Sequence, residues 1–294
     1  MIYVIVGPTG VGKTKLSVSL AKKLNAEIIN ADSMQVFKDL NIGTAKITEE
    51  EKEGIVHHLF DIKEPTENYT VYDYQKDARC VIEDILKRGK NVILVGGTGL
   101  YIRACLYDYR FLKENTSDNF DDLTNEEILN ELSKYTDNIE VHPNNRKRLV
   151  RLLNQYKNGS IPEKTGDNPL YDFHMIGLTT DRDILYDKIN TRVDKMIKDG
   201  LLEEVKALYD KNIRSKAIMT GIGYKELYSY FDGDISLEEA ISKIKQNSRR
   251  YAKRQYTFFK HQFNVDWYST NYENFLDTIE KVWEGIKNHN EKTK

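Results

Sequence analysis

A glycine-rich loop directly after a short apolar segment constrains this chain more than any other feature. Residues 2–6 read Ile-Tyr-Val-Ile-Val, a run typical of a strand buried on both faces. The segment from Gly7 to Thr14 follows at once and matches the pattern G-x-x-x-x-G-K-S/T. Backbone N–H groups of such a loop wrap an anion, its lysine adds a positive charge, and its last hydroxyl can hold Mg²⁺. We therefore predict a site for a diphosphate or triphosphate group. The predicted ligands are Gly7, Pro8, Thr9, Gly10, Val11, Gly12, Lys13 and Thr14, and Thr14 is also the predicted metal ligand.

Strand-like and helix-like segments alternate through the first third of the chain. A second strand over 27–31 ends at Asp32, a helix is predicted over 73–88, and the apolar strand 91–95 ends in a glycine-rich turn that contains Thr98. This alternation predicts a parallel sheet covered by helices on both sides. Ligands bind beyond the carboxyl ends of the strands in such sheets, so we expect the loop, Asp32 and Thr98 to meet there.

The composition of the chain changes in its middle. From about residue 110 to residue 169 it is polar, helical and poor in strands, with a capping box from Thr124 to Glu127. We therefore predict an α/β fold in which residues 1–110 and 171–294 form the sheet core and residues 111–170 form a helical insertion. The C-terminal region is predicted to be mostly helical.

Composition excludes several classes of protein. The 294 residues carry a net charge of −2 and have no apolar run long enough to span a membrane. The N-terminus lacks the basic start and cleavage site of a signal peptide. Two cysteines are too few for a disulfide framework or a zinc site. We expect a cytoplasmic protein that has no membrane partner and is a monomer.

Three polar side chains are expected near the phosphate site. A typical nucleotide hydrolase has an acidic Mg²⁺ ligand after an apolar strand, but strand 91–95 is followed by glycines. Asp32 is therefore the lone nearby acid, either a general base or a turn residue. Gln35 could read a nucleobase edge. Thr98 could bond to Asp32 or to a substrate amine, or simply belong to a tight turn.

His57 and His58, followed by Asp61, could suggest a metal site. Adjacent residues on a strand point to opposite faces, so these two imidazoles cannot easily hold one ion. Structural hydrogen bonding is therefore the favoured interpretation.

Two predicted helices concentrate positive charge. The first carries Arg146, Lys147, Arg148 and Arg151, and the second carries Lys243, Lys245, Arg249, Arg250, Lys253, Arg254 and Lys260. A charge run alone is usually a solvated helix face. Together with a phosphate site and a base-reading glutamine, the two helices favour polynucleotide binding.

These motifs, in this order, resemble the tRNA dimethylallyltransferases, also called tRNA isopentenyltransferases. The matching segments are GPTGVGKT at Gly7, ADSMQVF at Ala31, GTAK at Gly43, HHLFD at His57, GGTGLYIRA at Gly96, HPNNRKRLVRLL at His142, GIGYKE at Gly221 and RRYAKRQYTFFK at Arg249. They cover nearly the whole chain. The resemblance implies a P-loop NTPase-like core, Mg²⁺, dimethylallyl diphosphate as donor, and an insertion that clamps a tRNA anticodon stem-loop. The acceptor would be N6 of the adenosine at tRNA position 37, next to the anticodon.

The resemblance also implies roles for individual residues. Asp32 would be the general base and Thr98 would orient the amine, while the loop holds the leaving diphosphate. Ser33, Met34 and Gln35 would line the base pocket with Asp32 and Thr98. The other implied tRNA contacts are Lys147, Arg148, Arg151, Arg249, Lys253, Arg254 and Gln255.

One position departs from the family pattern. Many members carry Arg or Gln three residues before the Gly-Tyr pair of GIGYKE, where this chain has Thr220. If that side chain touches the diphosphate, another group must replace it, and we predict Arg249. Two other functions remain open from the residues alone: an ATP-dependent small-molecule kinase, and a nucleotide-regulated RNA-binding protein without catalysis.

Overall fold

A parallel sheet lies at the centre of the fold. The computed structural model describes residues 1–111, 118–159 and 166–292. The strands of its six-stranded sheet are β1 (Ile2–Val6), β2 (Ala26–Asn30), β3 (His57–His58), β4 (Asn91–Val95), β5 (Phe173–Thr179) and β6 (Asp266–Ser269). Their order is β3-β2-β4-β1-β5-β6, and every pair of neighbours is parallel. This arrangement confirms the predicted α/β class.

Helices connect the strands and fill most of the remaining chain. The described helices are α1 (Lys13–Leu24), α2 (Glu49–Lys52), α3 (Val71–Lys87), α4 (Gly99–Leu106), α5 (Asn125–Leu132), α6 (Arg146–Lys157), α7 (Arg182–Lys198), α8 (Leu201–Asp210), α9 (Lys216–Thr220), α10 (Tyr224–Phe231), α11 (Leu237–Gln262) and α12 (Phe275–Lys292). None of them is both long and apolar enough to cross a bilayer.

The central strand β1 shows why its sequence is continuously apolar. All five of its residues are buried, and it lies between β4 and β5. Side chains alternate between the two faces of a strand, so both faces must be covered. Tyr3 and Ile5 share one hydrophobic cluster with Leu16 of α1 and with Val282 and Ile286 of α12.

The chain divides into two compact units. The larger unit comprises Met1–Leu106 and Leu170–Lys294, and the smaller comprises Tyr107–Pro169. The division falls next to the expected limits at 111 and 170, although residues 112–117 and 160–165 of the expected insertion lie outside the described residues. The smaller unit has its own hydrophobic core, which consists of Phe120, Ile128, Leu132, Leu149 and Leu153.

The helices show how local sequence sets burial and caps. The helix predicted over 73–88 is α3, and its buried face consists of Tyr74, Gln75, Ala78, Ile82 and Ile85. Thr124 and Glu127 form both halves of the predicted capping box of α5. At the start of α11, Ser236 accepts from the N–H of Glu239. The carboxylate of Glu239 pairs with Lys243.

Candidate active site

The phosphate loop opens into a cavity at the carboxyl ends of the strands. The cavity has a volume of about 510 Å³. Gly10, Lys13, Asp32 and Gly97 line it, which confirms that the three strand ends converge. Two helices from the second half of the chain complete its wall. Their lining side chains are Lys188 and Arg192 from α7 and Tyr251 and Gln255 from α11.

The end of the loop has a conformation that requires glycine. Gly12 precedes α1 with a φ of 92°, in the left-handed region. A Cβ atom there would also lie 2.4 Å from the ring of Phe275. Because the loop turns at Gly12, α1 begins at Lys13, and Lys13 and Thr14 both line the cavity. The first backbone N–H groups of a helix attract anions, so this geometry suits a phosphate group.

Two basic side chains meet inside the cavity. Lys13 Nζ donates to the carbonyl oxygens of Gly7 at 2.9 Å and Pro8 at 2.8 Å. Burial, and then the charge of Arg192, lower the pKa of Lys13 to about 8, although Asp32 opposes this. Arg192 donates to the hydroxyl of Thr9 at 3.4 Å, and burial lowers its pKa as well. The charge of Arg192 disfavours the protonated form of Lys13, so a bound anion would favour that form.

The carboxylate of Asp32 is held by a local turn. The buried Asn30 amide donates to the Asp32 carbonyl oxygen at 3.0 Å and accepts from the Asp32 N–H at 2.8 Å. Asp32 Oδ1 accepts from the N–H of Met34 at 2.9 Å. Burial raises the pKa of Asp32, while the Met34 N–H and the charge of Lys13 oppose the shift. A carboxylate with a raised pKa is a stronger base, as general-base catalysis requires.

Thr98 belongs to a hydrogen-bond network beside Asp32. Its hydroxyl accepts from the N–H of Ser33 at 3.1 Å and lies 3.4 Å from the Ser33 hydroxyl. Its side chain also bonds to Tyr251, whose pKa is raised by burial. The position of Thr98 next to the Asp32–Ser33 turn therefore comes from long-range contacts.

Gln255 joins α11 to the phosphate loop. Its Oε1 accepts from the N–H of Thr9 at 3.0 Å and its Nε2 donates to the carbonyl of Gly97 at 3.1 Å. A Cβ atom at Gly97 would lie 1.9 Å from Gln255 Nε2, so this approach requires glycine. Gln255 is 5% exposed. The expected tRNA contact of Gln255 stays a prediction, and the structure gives its amide two partners within the protein.

Gln35 and Met34 line the region around the site. The amide Nε2 of Gln35 donates to the carbonyl of Thr44 at 3.0 Å, and both residues line the cavity. The Met34 side chain packs close to Gly221. The segments GTAK and GIGYKE are thereby brought to the Asp32–Gln35 turn.

The two basic helices are exposed to different degrees. On α6, Lys147, Arg148 and Arg151 are exposed, whereas Arg146 is partly buried. The Arg146 guanidinium donates to backbone carbonyls within the smaller unit. On α11, Arg250, Lys253 and Arg254 are exposed.

Arg249 has a different environment from its neighbours. Its guanidinium donates to the side chain of Asn190 at 2.5 Å and lies over the ring of Tyr186. Thr220 is exposed and its hydroxyl donates to a carbonyl of its own helix. Arg192 lines the cavity beside the phosphate loop, and Arg249 is not among the lining residues, so contact between Arg249 and the diphosphate stays a prediction. The sequence gives only a weak indication that Arg192 belongs to the site. Arg192 and Lys188 are four residues apart on α7, so their side chains share one face of that helix.

The two adjacent histidines have separate partners. His57 Nδ1 bonds to the carbonyl of Ile55 at 2.8 Å, and His58 Nε2 bonds to the carboxylate of Glu27 at 2.8 Å. This confirms that they serve structural hydrogen bonding. The ring of His57 also lines the cavity beside Phe60.

Fold and site together define a P-loop α/β protein in which a candidate anion site and a carboxylate share one cavity. Residues 35–262 match the family model of the IPP transferases. The chain therefore belongs to the IPP transferase family, whose curated relatives are tRNA dimethylallyltransferases.

The relatives cover the chain almost from end to end. The tRNA dimethylallyltransferase of Geobacillus thermodenitrificans is 48% identical, over 97% of this chain and 96% of the relative. That of Anoxybacillus flavithermus is 50% identical, over 91% of this chain and 89% of the relative. The solved tRNA isopentenylpyrophosphate transferase of Bacillus halodurans superposes with a TM-score of 0.77 at 42% identity, over 98% of this chain and 95% of the other. A eukaryotic dimethylallyltransferase solved while acting on tRNA gives a TM-score of 0.77 at 29% identity, over 100% of this chain and 80% of the other.

Proposed function

We propose that this protein transfers the dimethylallyl group of dimethylallyl diphosphate to N6 of the adenosine at tRNA position 37, next to the anticodon. One observation carries the assignment beyond the family. The carboxylate of Asp32 lies in the same cavity as the partly buried cations Lys13 and Arg192. A base and an anion site in one recess suit a reaction that removes a proton at one end and releases diphosphate at the other.

The loop would hold the leaving diphosphate. Negative charge builds on this group as the allylic C–O bond breaks, so the loop amides and the cations Lys13 and Arg192 stabilise the transition state more than the ground state. The apolar lining of the same cavity, which includes Ile47, Phe60 and Val95, suits the hydrocarbon end of the donor.

A magnesium ion fits the polar end of the cavity. The Thr14 side chain lines it beside Lys13, and the hydroxyl oxygen is the kind of ligand that Mg²⁺ prefers. When bound, Mg²⁺ would supply further positive charge to the diphosphate.

Asp32 would act as the general base on the acceptor amine. The N6–C bond forms, the allylic C–O bond breaks with its electron pair going to the diphosphate, and a proton of N6 moves to the Asp32 carboxylate. A positioned base contributes roughly 10²–10⁴-fold. Thr98 and the turn of Ser33, Met34 and Gln35 would orient an adenine that has left its stack in the anticodon loop.

The exposed basic residues would bind the tRNA backbone. In the insertion these are Lys147, Arg148 and Arg151, and on α11 they are Lys253 and Arg254 with Arg249 beside them. Contacts of this kind position the stem-loop without reading its sequence.

The test is transfer by the purified protein, supplied with dimethylallyl diphosphate, Mg²⁺ and unmodified tRNA transcripts that carry adenosine at position 37. Mass spectrometry of the digested tRNA should show dimethylallyl adenosine. Transcripts with guanosine at that position should stay unmodified. No transfer to any adenosine-37 transcript would refute the proposal, and phosphate transfer from ATP to a small molecule would favour a kinase.

A further inference from the structure

Three side chains of types that can bind metal ions lie close together near the amino ends of β5 and β6, away from the active site. His174 is the second residue of β5, Asp266 is the first residue of β6, and His289 lies near the end of α12. One potential ligand atom from each lies within 4.8 Å of the other two. The phosphate loop lies at the carboxyl end of β5, roughly 13 Å along the strand from His174. The cluster is therefore separate from the catalytic cavity.

The histidine at the centre of the cluster is incompletely paired. His174 is 3% exposed, and its Nε2 lies 2.8 Å from a carboxylate oxygen of Asp266. No hydrogen-bond partner for its Nδ1 is found among the described residues. Buried polar atoms without a partner are rare in folded proteins. The pair of His174 Nε2 and the Asp266 carboxylate supplies two ligand atoms side by side, because a metal ion can take the place of the proton between them.

The ring of His289 lies directly against that of His174. The two ring centroids are 3.9 Å apart and the ring planes differ by 8°.

We propose that His174, Asp266 and His289 form a binding site for a divalent transition-metal ion of the Zn²⁺ type. Two imidazoles and a carboxylate are a common ligand set for such ions. The Asp266 side chain is 56% exposed, so water can complete a tetrahedral shell. No other side chain is needed.

To bind one ion, the three ligand atoms must move closer together. Ligand atoms around a tetrahedral Zn²⁺ lie about 3.3 Å apart, closer than the present limit of 4.8 Å. Parallel stacked rings point their lone pairs in parallel directions, so one ring must tilt for both nitrogens to face the same ion. We expect His289 to move, because it is half-buried on the C-terminal helix whereas His174 is 3% exposed within the sheet. The ion would therefore clamp the end of α12 to the sheet.

The test uses the full chain, freed of metal by a chelator, with Zn²⁺ as the probe. Calorimetric titration should show a site that His289→Ala and Asp266→Asn each weaken by more than the roughly 10- to 100-fold that loss of an outer partner costs. Saturating Zn²⁺ should raise the Tm of the unaltered protein by a few degrees and leave the Tm of both variants nearly unchanged. Co²⁺ should give the visible d–d bands of a tetrahedral site in the unaltered protein and in neither site variant.

The matched control is His261→Ala, which removes an exposed histidine from α11. It should bind Zn²⁺ as the unaltered protein does. His174→Ala is not used, because a change at a buried strand position can disturb folding. Asp266→Asn keeps the shape of an exposed side chain, and circular dichroism checks both site variants. Equal Zn²⁺ affinity in the unaltered protein and the two site variants, or no binding at all, would overturn the proposal.

Discussion

Asp32 owes its position to its immediate neighbours and its basicity to its burial. The Asn30 amide closes the turn that ends β2, and the Met34 N–H holds one carboxylate oxygen. Burial raises the pKa of Asp32, which means that the ionised carboxylate is disfavoured in the folded protein. The proposed base is therefore held at some cost in stability, as is usual at functional sites.

This reasoning predicts the behaviour of Asp32→Asn. Turnover should fall by roughly 10²–10⁴-fold, because the amide cannot accept the N6 proton. The amide oxygen can still accept from Met34, so tRNA binding should be retained. A carboxyl group whose pKa is raised by folding destabilises the protein at pH values above its ordinary pKa of 3.8, so the Tm at pH 7 should not fall. Single-turnover transfer, filter binding and a thermal melt measure the three quantities, and unchanged turnover would remove Asp32 from the role of base.

Lys13 should set the alkaline limit of donor use. Its pKa of about 8 means that the substrate-free enzyme loses this charge as the pH rises through 8. The parameter kcat/KM for dimethylallyl diphosphate reports groups of the free enzyme, so it should decline above that pH. A profile of kcat/KM against pH, taken to about pH 9.5 at constant ionic strength, measures this decline. If kcat/KM stays constant up to that pH, Lys13 remains protonated in the free enzyme. The loop would then need no bound anion to keep Lys13 charged.

At the level of elements, the sequence predicts the inner strands better than the edges. Strands β1 and β4 were recognisable because burial on both faces requires continuous apolar runs. The edge strands β3 and β6 were harder to predict: for β3 only His57 and His58 were placed on a strand, and β6 was not predicted. They have two and four residues, include polar side chains such as His57 and Asp266, and owe their conformation to pairing with a neighbour.

The long helix α11 shows a second limit of sequence reasoning. Its periodicity separates an exposed basic face from a buried face, but it cannot say what the buried face touches. Gln255 and Tyr251 bond to groups near the phosphate loop, about 160 to 250 residues away in sequence. Arg192 on α7 also lies next to this loop, although it is 183 residues from Thr9 in sequence. These residues complete the candidate site, and local patterns could not place them there.

For the whole molecule, the small net charge of −2 hides a strong local segregation. Exposed cations are concentrated on α6 of the smaller unit and on α11 of the larger unit, while net charge alone would not predict a nucleic-acid partner. The motif order across the chain indicated the family, and the relatives confirm it. The contribution of each cation to tRNA binding remains a prediction.

Because phosphate contacts release counterions, the affinity for tRNA should fall steeply with salt. Arg148→Gln and Lys253→Gln should each lower the slope of log K against log salt concentration by about one if each neutralises a phosphate. Lys281→Gln is the control, since it removes the same charge from an exposed position on α12 and should leave the slope unchanged. Filter binding of an anticodon stem-loop at several salt concentrations measures the slopes. A slope near zero, or equal slopes in all three variants and the unaltered protein, would show that these helices are merely solvated faces and that the tRNA is held elsewhere.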